Sequence, residues 1–268
     1  MKACAVFLIV AHLLAAMAGW VSSYDPAEQH REHAWEAPGE RFPLGTDGLG
    51  RDQWSRLVHG ARISLYSGLA AGVLSAALGL LLGGWAGLSG GWTDRLITRL
   101  MELFLALPWM YLLLAVRAFF PLETDARLVF LALLLLLGAI GWARPARLVR
   151  GIVMSVKERE SLLAARGFGA GRWYLLRRHI LPEVLPVLGT YLSLAIPQYV
   201  AAEATLSFLG LGFSGSTPSW GSLVGAMGSL EVLSEAWWMG LPAVALALVL
   251  GCYSIVSSAL AGTEHQGR

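Results

Sequence analysis

From Ile63 to Leu88 the chain carries no charge. A run of that length crosses the roughly 30 Å hydrocarbon core of a bilayer as a helix, which takes about 20 residues. Four further uncharged runs are span candidates: Ala3 to Val21, Leu128 to Ala143, Val184 to Ala202 and Ala236 to Gly262. A sixth, Ile97 to Phe120, is interrupted by Arg99, Glu102 and Arg117, which fall near its ends, where charged side chains reach the interface. Hydrocarbon offers no hydrogen bonds, so a spanning segment must pair its own backbone. The pattern predicts an all-α integral membrane protein with six transmembrane helices in one polytopic domain. Composition agrees: 56% of the 268 residues are hydrophobic and 14% charged, and the mean hydropathy is +0.60.

The predicted order is a first span in 1–22, an outward loop in 23–62, spans two to four in 63–143, a cytoplasmic loop in 144–183, span five in 184–203, an outward or re-entrant element in 204–235, and span six in 236–262. Orientation follows from the arginines. Lys2 and the basic stretch from Arg144 to Arg178 share a side if the N-terminus is inside, and the positive-inside rule makes that side the cytoplasm. Both termini are then cytoplasmic, and the weakly acidic loop from Ser22 to Ser55 faces out. The first 22 residues also suit a cleavable signal peptide, but a retained span keeps the count even and the basic loop inside. Ala204 to Leu230 is uncharged too, yet its Gly, Ser, Thr and Pro content argues against a seventh span.

Gly68, Gly72, Ser75, Gly79, Gly83 and Gly87 recur at steps of three and four, forming a small-residue stripe on span two where another helix backbone can approach. Packing within the chain and packing against another subunit both fit it.

Several chemistries are excluded. The two lysines, Lys2 and Lys157, follow Met1 and Val156, so no phosphate-cradling G-x-x-x-x-G-K-[ST] loop exists and any nucleotide must sit on a partner. There is no H-E-x-x-H and no pair of intramembrane carboxylates. Glu102 and Glu203 lie near predicted span ends, where they read as interfacial or inter-helix hydrogen-bonding residues. Cys4 and Cys252 sit singly in apolar runs, and no metal site is expected; His30 and His33, three apart in the outward loop, read as a solvated surface pair. The net charge of +2, without basic runs interleaved with aromatics, argues against nucleic acid.

The stretch ESLLAARGFGAGRWYLLRRHILP, Glu160 to Pro182, reads as helix, hinge, helix: good helix formers through Phe168, glycines at 167, 169 and 171, then a helix-compatible run that stops before Pro182. Small Ala164 and Ala165 beside Leu162, Leu163 and Phe168 give a low-profile apolar face. Physics alone leaves two uses open, docking in a groove of another protein and lying on an anionic lipid surface.

Ala164, Ala165, Gly169, Leu181 and Pro182 stand in the register of the EAA loop of ABC importer permeases, which this segment resembles; Leu163 occupies the family's glutamate position. FPLGTDGLGRDQWSRLVHGARISL, Phe42 to Leu65, resembles the segment before span two in the dipeptide, oligopeptide and nickel branch. TLSFLGLGFSGSTPSWG, Thr205 to Gly221, resembles that branch's outward element. The resemblance implies a type I ABC permease bundle, the second of two paired permeases, with no cofactor of its own and no catalysis. Its partners would be a second permease, two cytoplasmic ABC ATPases carrying ATP-Mg, and an extracytoplasmic binding protein, all at the inner membrane. It implies ATPase coupling through Glu160, Leu163, Ala164, Ala165, Arg166, Gly167, Gly169, Leu181 and Pro182. Outward contacts would come from Thr46, Asp47, Gly50, Arg51, Pro218, Trp220 and Gly221. An ion-coupled secondary transporter would need an inverted repeat and a midplane site, neither of which is visible; a non-transporting scaffold is the remaining class.

Overall fold

A computed structural model describes residues 1–119, 126–212, 217–228 and 230–266. Among these the regular secondary structure is helical, apart from one isolated antiparallel bridge between Thr46 and Asp52. The helices are α1 (Lys2–Ala16), α2 (Ala18–Val21), α3 (Gln53–Ser89), α4 (Gly91–Ala106), α5 (Trp109–Phe119), α6 (Ala126–Gly141), α7 (Ala143–Lys157), α8 (Glu160–Gly167), α9 (Arg172–Leu175), α10 (Leu181–Phe208), α11 (Trp220–Ala226), α12 (Leu230–Glu235) and α13 (Leu241–Gln266).

Among the described residues, three helices are long and apolar enough to cross a membrane: Gln53–Ser89, Trp173–Phe208 and Trp237–Ala259, with the shorter apolar Lys2–Ala16 beside them. α3 begins at Gln53, within the segment expected to be an outward loop, and runs unbroken to Ser89. It starts where the Asp52 carboxylate accepts from the Ser55 backbone N–H at 2.9 Å and the Ser55 hydroxyl at 2.6 Å, the cap an isolated helix start requires. At its other end Lys157 Nζ donates to the carbonyls of Gly87 and Leu88 at 2.8 and 3.1 Å, satisfying acceptors left over by the last turn. The run from Ile97 to Phe120, read from the sequence as one span, is instead divided between α4 and α5. Leu107 adopts an extended backbone, φ −72° and ψ 130°, because the ring of Pro108 disfavours helical geometry in the residue before it.

The chain divides into two compact units, one comprising Met1–Leu69, Val116–Leu133 and Ile196–Arg268 and the other Ala70–Ala115 and Leu134–Ala195. In the first, α1 packs along α13, and Leu8, Ala15, Leu65, Trp220, Leu223 and Val249 share one apolar core. His12 braces it: its ring lies 2.8 Å from the Leu8 carbonyl and 3.1 Å from the Tyr253 hydroxyl, while its own carbonyl accepts from Tyr66 at 3.1 Å. Gly68 meets Val200 so closely that a β-carbon there would overlap it.

In the second unit α4 and α7 lie together. A β-carbon on Gly79 would sit 2.6 Å from the Pro145 ring, one on Gly83 would run into the Ala146 backbone, and one on Gly87 would come within 2.8 Å of Val153. Gly72 is buried. The stripe therefore serves packing within this chain at Gly68, Gly79, Gly83 and Gly87. Asp94 and Arg150 form a two-point ion pair, with Nη2 to Oδ2 at 2.7 Å. The guanidinium's hydrogen bonds hold the Asp94 carboxyl below its ordinary range and raise Arg150 in turn.

Candidate coupling loop and outward segments

α8 is anchored on one side only. Leu162, 2% exposed, is enclosed with Val149, Val153, Val156, Leu175 and Ile180, and Ala165 and Ala170 pack against the same group. Its other side faces solvent: Leu163 is 52% and Phe168 93% exposed, and Glu160, Ala164 and Gly167 are exposed with them. Arg159 donates to Glu183 at 2.6 Å, fastening the approach to α8 to the first turn of α10.

Gly169 closes the helix. Its φ is +83°, and the Ala170 N–H reaches back to the Ala165 carbonyl at 3.0 Å, the six-to-one bond of a Schellman stop with glycine at the left-handed position. A β-carbon there would meet nothing within 4 Å among the described residues. The glycine is required for its backbone conformation, and not for room within the chain.

Beyond it, α9 passes into a π-helical turn, Leu176–Ile180, whose last bond runs from the Leu181 N–H to the Leu176 carbonyl. Pro182 does not end the helix, as the sequence suggested; α10 continues through it to Phe208. A wide turn just before a proline frees the carbonyls that its ring would otherwise crowd. Leu181 is half-buried and Pro182 exposed, and the loop also exposes Trp173 and Tyr174. The Arg166 side chain lies outside the described residues. Among the coupling residues expected from sequence, the structure brings Glu160, Leu163, Ala164 and Gly167 to one exposed helix; it turns Ala165 inward. Phe168, the most exposed side chain of this segment, stands uncovered with Leu163, whereas Leu162, expected on the same apolar face, is buried.

The outward segments are built differently. Thr46 is fully buried: its hydroxyl donates to the His33 carbonyl and accepts the Glu36 N–H at 2.9 Å, and its carbonyl accepts from the Trp238 indole at 2.9 Å. Asp47, 4% exposed, folds the turn around itself. One oxygen accepts the Leu49 and Arg51 N–H groups at 2.9 and 3.0 Å, and the other binds the Arg51 guanidinium at 2.7 Å. Gly50, at φ +72°, passes against the His30 carbonyl with no room for a β-carbon. Pro218, Trp220 and Gly221 are buried as well. These residues form the frame of the loops, while Leu49 and Trp35, which the sequence reading did not single out, stand 41% and 47% exposed on the surface. His30 and His33 lie against Phe42, with His33 bound to Glu36 at 2.5 Å and to Arg41 at 2.8 Å. Among the described residues no group of three or more His, Cys, Asp or Glu side chains is placed to hold a metal.

α11 is seated in the same unit. Ser219 caps it through a reciprocal pair with Ser222, Trp220 donates its indole N–H to the Leu57 carbonyl at 3.0 Å, and Gly221 lies flush on the Ala204 backbone.

Residues 79–263 match the family model described as "Binding-protein-dependent transport system inner membrane component". The chain is 35% identical over 262 residues to the Di/tripeptide transport system permease protein DppC of Pseudomonas aeruginosa, covering 95% of this chain and 84% of that one. It is 36% identical over 217 residues to the Oligopeptide transport system permease protein OppC of Haemophilus influenzae, covering 81% and 68%. A solved chain of the MetNI methionine ABC transporter aligns with a TM-score of 0.47 at 20% identity, over 76% of this chain and 95% of that one. A chain of apolar helices with no nucleotide loop of its own, matched along most of its length by such relatives, belongs to the binding-protein-dependent transport system inner membrane components: it is a multi-pass permease subunit of an ABC importer, and not itself an enzyme.

Proposed function

We propose that this permease forms half of a pathway for peptides, with nickel and other small solutes as the second substrate class, across an inner membrane that it crosses six times in the type I arrangement. Peptide transport is what the names of its relatives state for them. A second, similar permease completes the pathway. Two cytoplasmic ATPases carrying ATP-Mg drive it, and an extracytoplasmic binding protein delivers the solute. The termini and the loop 144–183 face the cytoplasm. Closure of the ATPase pair pulls on α8 and shifts the bundle between inward-open and outward-open forms. On the outer side, the frame made by Thr46, Asp47, Gly50, Arg51, Pro218, Trp220 and Gly221 presents Leu49 and Trp35 to the binding protein.

One observation carries the coupling role: α8 buries Leu162 and Ala165 in its own unit yet leaves Leu163, Ala164 and Phe168 uncovered. Exposed apolar side chains on a small-residue helix are a surface for a partner's groove. The test follows from those two faces. Ala164→Asp and Leu163→Asp place a charge on the uncovered side and lower ATP-driven uptake at least tenfold, with normal membrane insertion, in the assembled transporter. Ala165→Asp strikes the inward side and lowers the amount of folded protein instead. Uptake unchanged in both Ala164→Asp and Leu163→Asp would remove α8 from the coupling path.

A further inference from the structure

Glu203 lies in the apolar helix α10 and is 5% exposed. A carboxylate taken that far from water must find polar partners, and an ionisable residue within a spanning helix is expensive enough to mark a function. Its partners come from α3 and from α10 itself. One oxygen accepts from Ser64 of α3 at 2.7 Å, and the other from Ser207, one turn further along α10, at 2.6 Å. The Ser64 hydroxyl in turn accepts the backbone N–H of Trp220 at 3.1 Å. Around this centre the fit is close. A β-carbon on Gly60 would stand 3.2 Å from the Trp220 ring and 3.3 Å from Leu223, and Gly221 leaves no room over Ala204. Helix α11, only seven residues long, cannot hold its place by its own backbone bonds.

We propose that Glu203 is the positioning residue of α11: by holding Ser207 and Ser64, whose hydroxyl accepts the Trp220 N–H, it fixes that helix on α3 and α10, and the fixed helix is what the delivering binding protein engages from outside. The proposal rests on the importer reading above. It explains how Trp220 and Gly221 matter to an outward contact while being buried: they seat the helix, and its exposed far end, Gly225 and Ala226, is presented.

The experiment uses the assembled transporter in lipid with its binding protein and ATPases, reading ATP hydrolysis against binding-protein concentration. Wild type must show hydrolysis stimulated by the binding protein; if it does not, the importer reading itself fails. Glu203→Ala is expected to leave the unstimulated rate unchanged and to raise the half-saturating concentration of binding protein about tenfold, as loss of a hydrogen bond to a charged group implies. Glu203→Gln can still accept through its oxygen and donate through its amide to a serine, so it stays within about twofold of wild type. Ser64→Ala reproduces the Glu203→Ala shift and serves if that variant does not assemble. A wild-type half-saturation in either Glu203→Ala or Ser64→Ala overturns the proposal. So does a Glu203→Gln shift as large as that of Glu203→Ala, because the charge and not the gathering of hydroxyls would then matter.

Discussion

Gly169 is under two separable demands, one from its own backbone and one from whatever covers α8. The backbone demand is the left-handed φ of +83°, which costs an ordinary L-residue about 1–2 kcal/mol and asparagine less. Within the chain the space beside it is open. Gly169→Asn is therefore expected to fold normally, while Gly169→Val loses about 1–2 kcal/mol in thermal unfolding of the detergent-solubilised transporter. If Gly169→Asn folds yet loses uptake, the second demand is shown directly, since a partner must occupy the open space. Equal melting of the valine and asparagine variants would contradict the Schellman stop. The glycine itself was legible from sequence because a positive φ is a local requirement that a residue type announces. The burial of Leu162, expected on the same docking face as Leu163 and Phe168, was not, since eight residues of good helix formers do not say which side their neighbours will cover. Glu203 was legible as an inter-helix hydrogen-bonding residue but its partner was not: Ser64 stands 139 positions away, and no local pattern links them.

At the level of elements, apolar runs gave the positions of α3, α10 and α13 because the requirement to pair the backbone in hydrocarbon acts on composition alone. The errors fell at prolines, where helix continuity depends on the neighbouring turn. Pro108 divides a run and Pro182 does not, and the difference is the extended Leu107 in one case and the π turn before the other. The glycine stripe of α3 left its partner open until the structure placed α7 against Gly79, Gly83 and Gly87. That contact makes a paired prediction. Gly83→Ala drives a methyl group into the Ala146 backbone and should destabilise the protein by about 1–3 kcal/mol. Gly84→Ala, one position along, meets nothing within 4 Å and should fall within about 0.5 kcal/mol of wild type or slightly above it, as alanine is the better helix former. The two are compared by thermal unfolding in the same detergent; similar losses at both positions would mean that α3 does not meet α7 through this stripe.

For the whole molecule, charge distribution and loop chemistry bear on the same question, which face each surface meets. In the orientation we propose, the positive-inside rule puts α8, within the basic stretch from Arg144 to Arg178, on the cytoplasmic side and the acidic loop around Asp47 outside. The proposed mechanism needs both, because its ATPases and binding protein would approach from opposite sides. Leu163 and Leu49 are suited to report this, being exposed in their respective segments. In a background with Cys4 and Cys252 replaced by alanine, Leu163→Cys should react with a membrane-impermeant maleimide only in inside-out vesicles. Leu49→Cys should react only in right-side-out ones. Assembly with the ATPases should then slow labelling of Leu163→Cys and leave Leu49→Cys unchanged, whereas added binding protein should slow the latter alone. Labelling of both sites from one side would sink the six-span topology. Labelling from the expected sides with no protection by the ATPases would keep the topology and dismiss α8 as their docking surface.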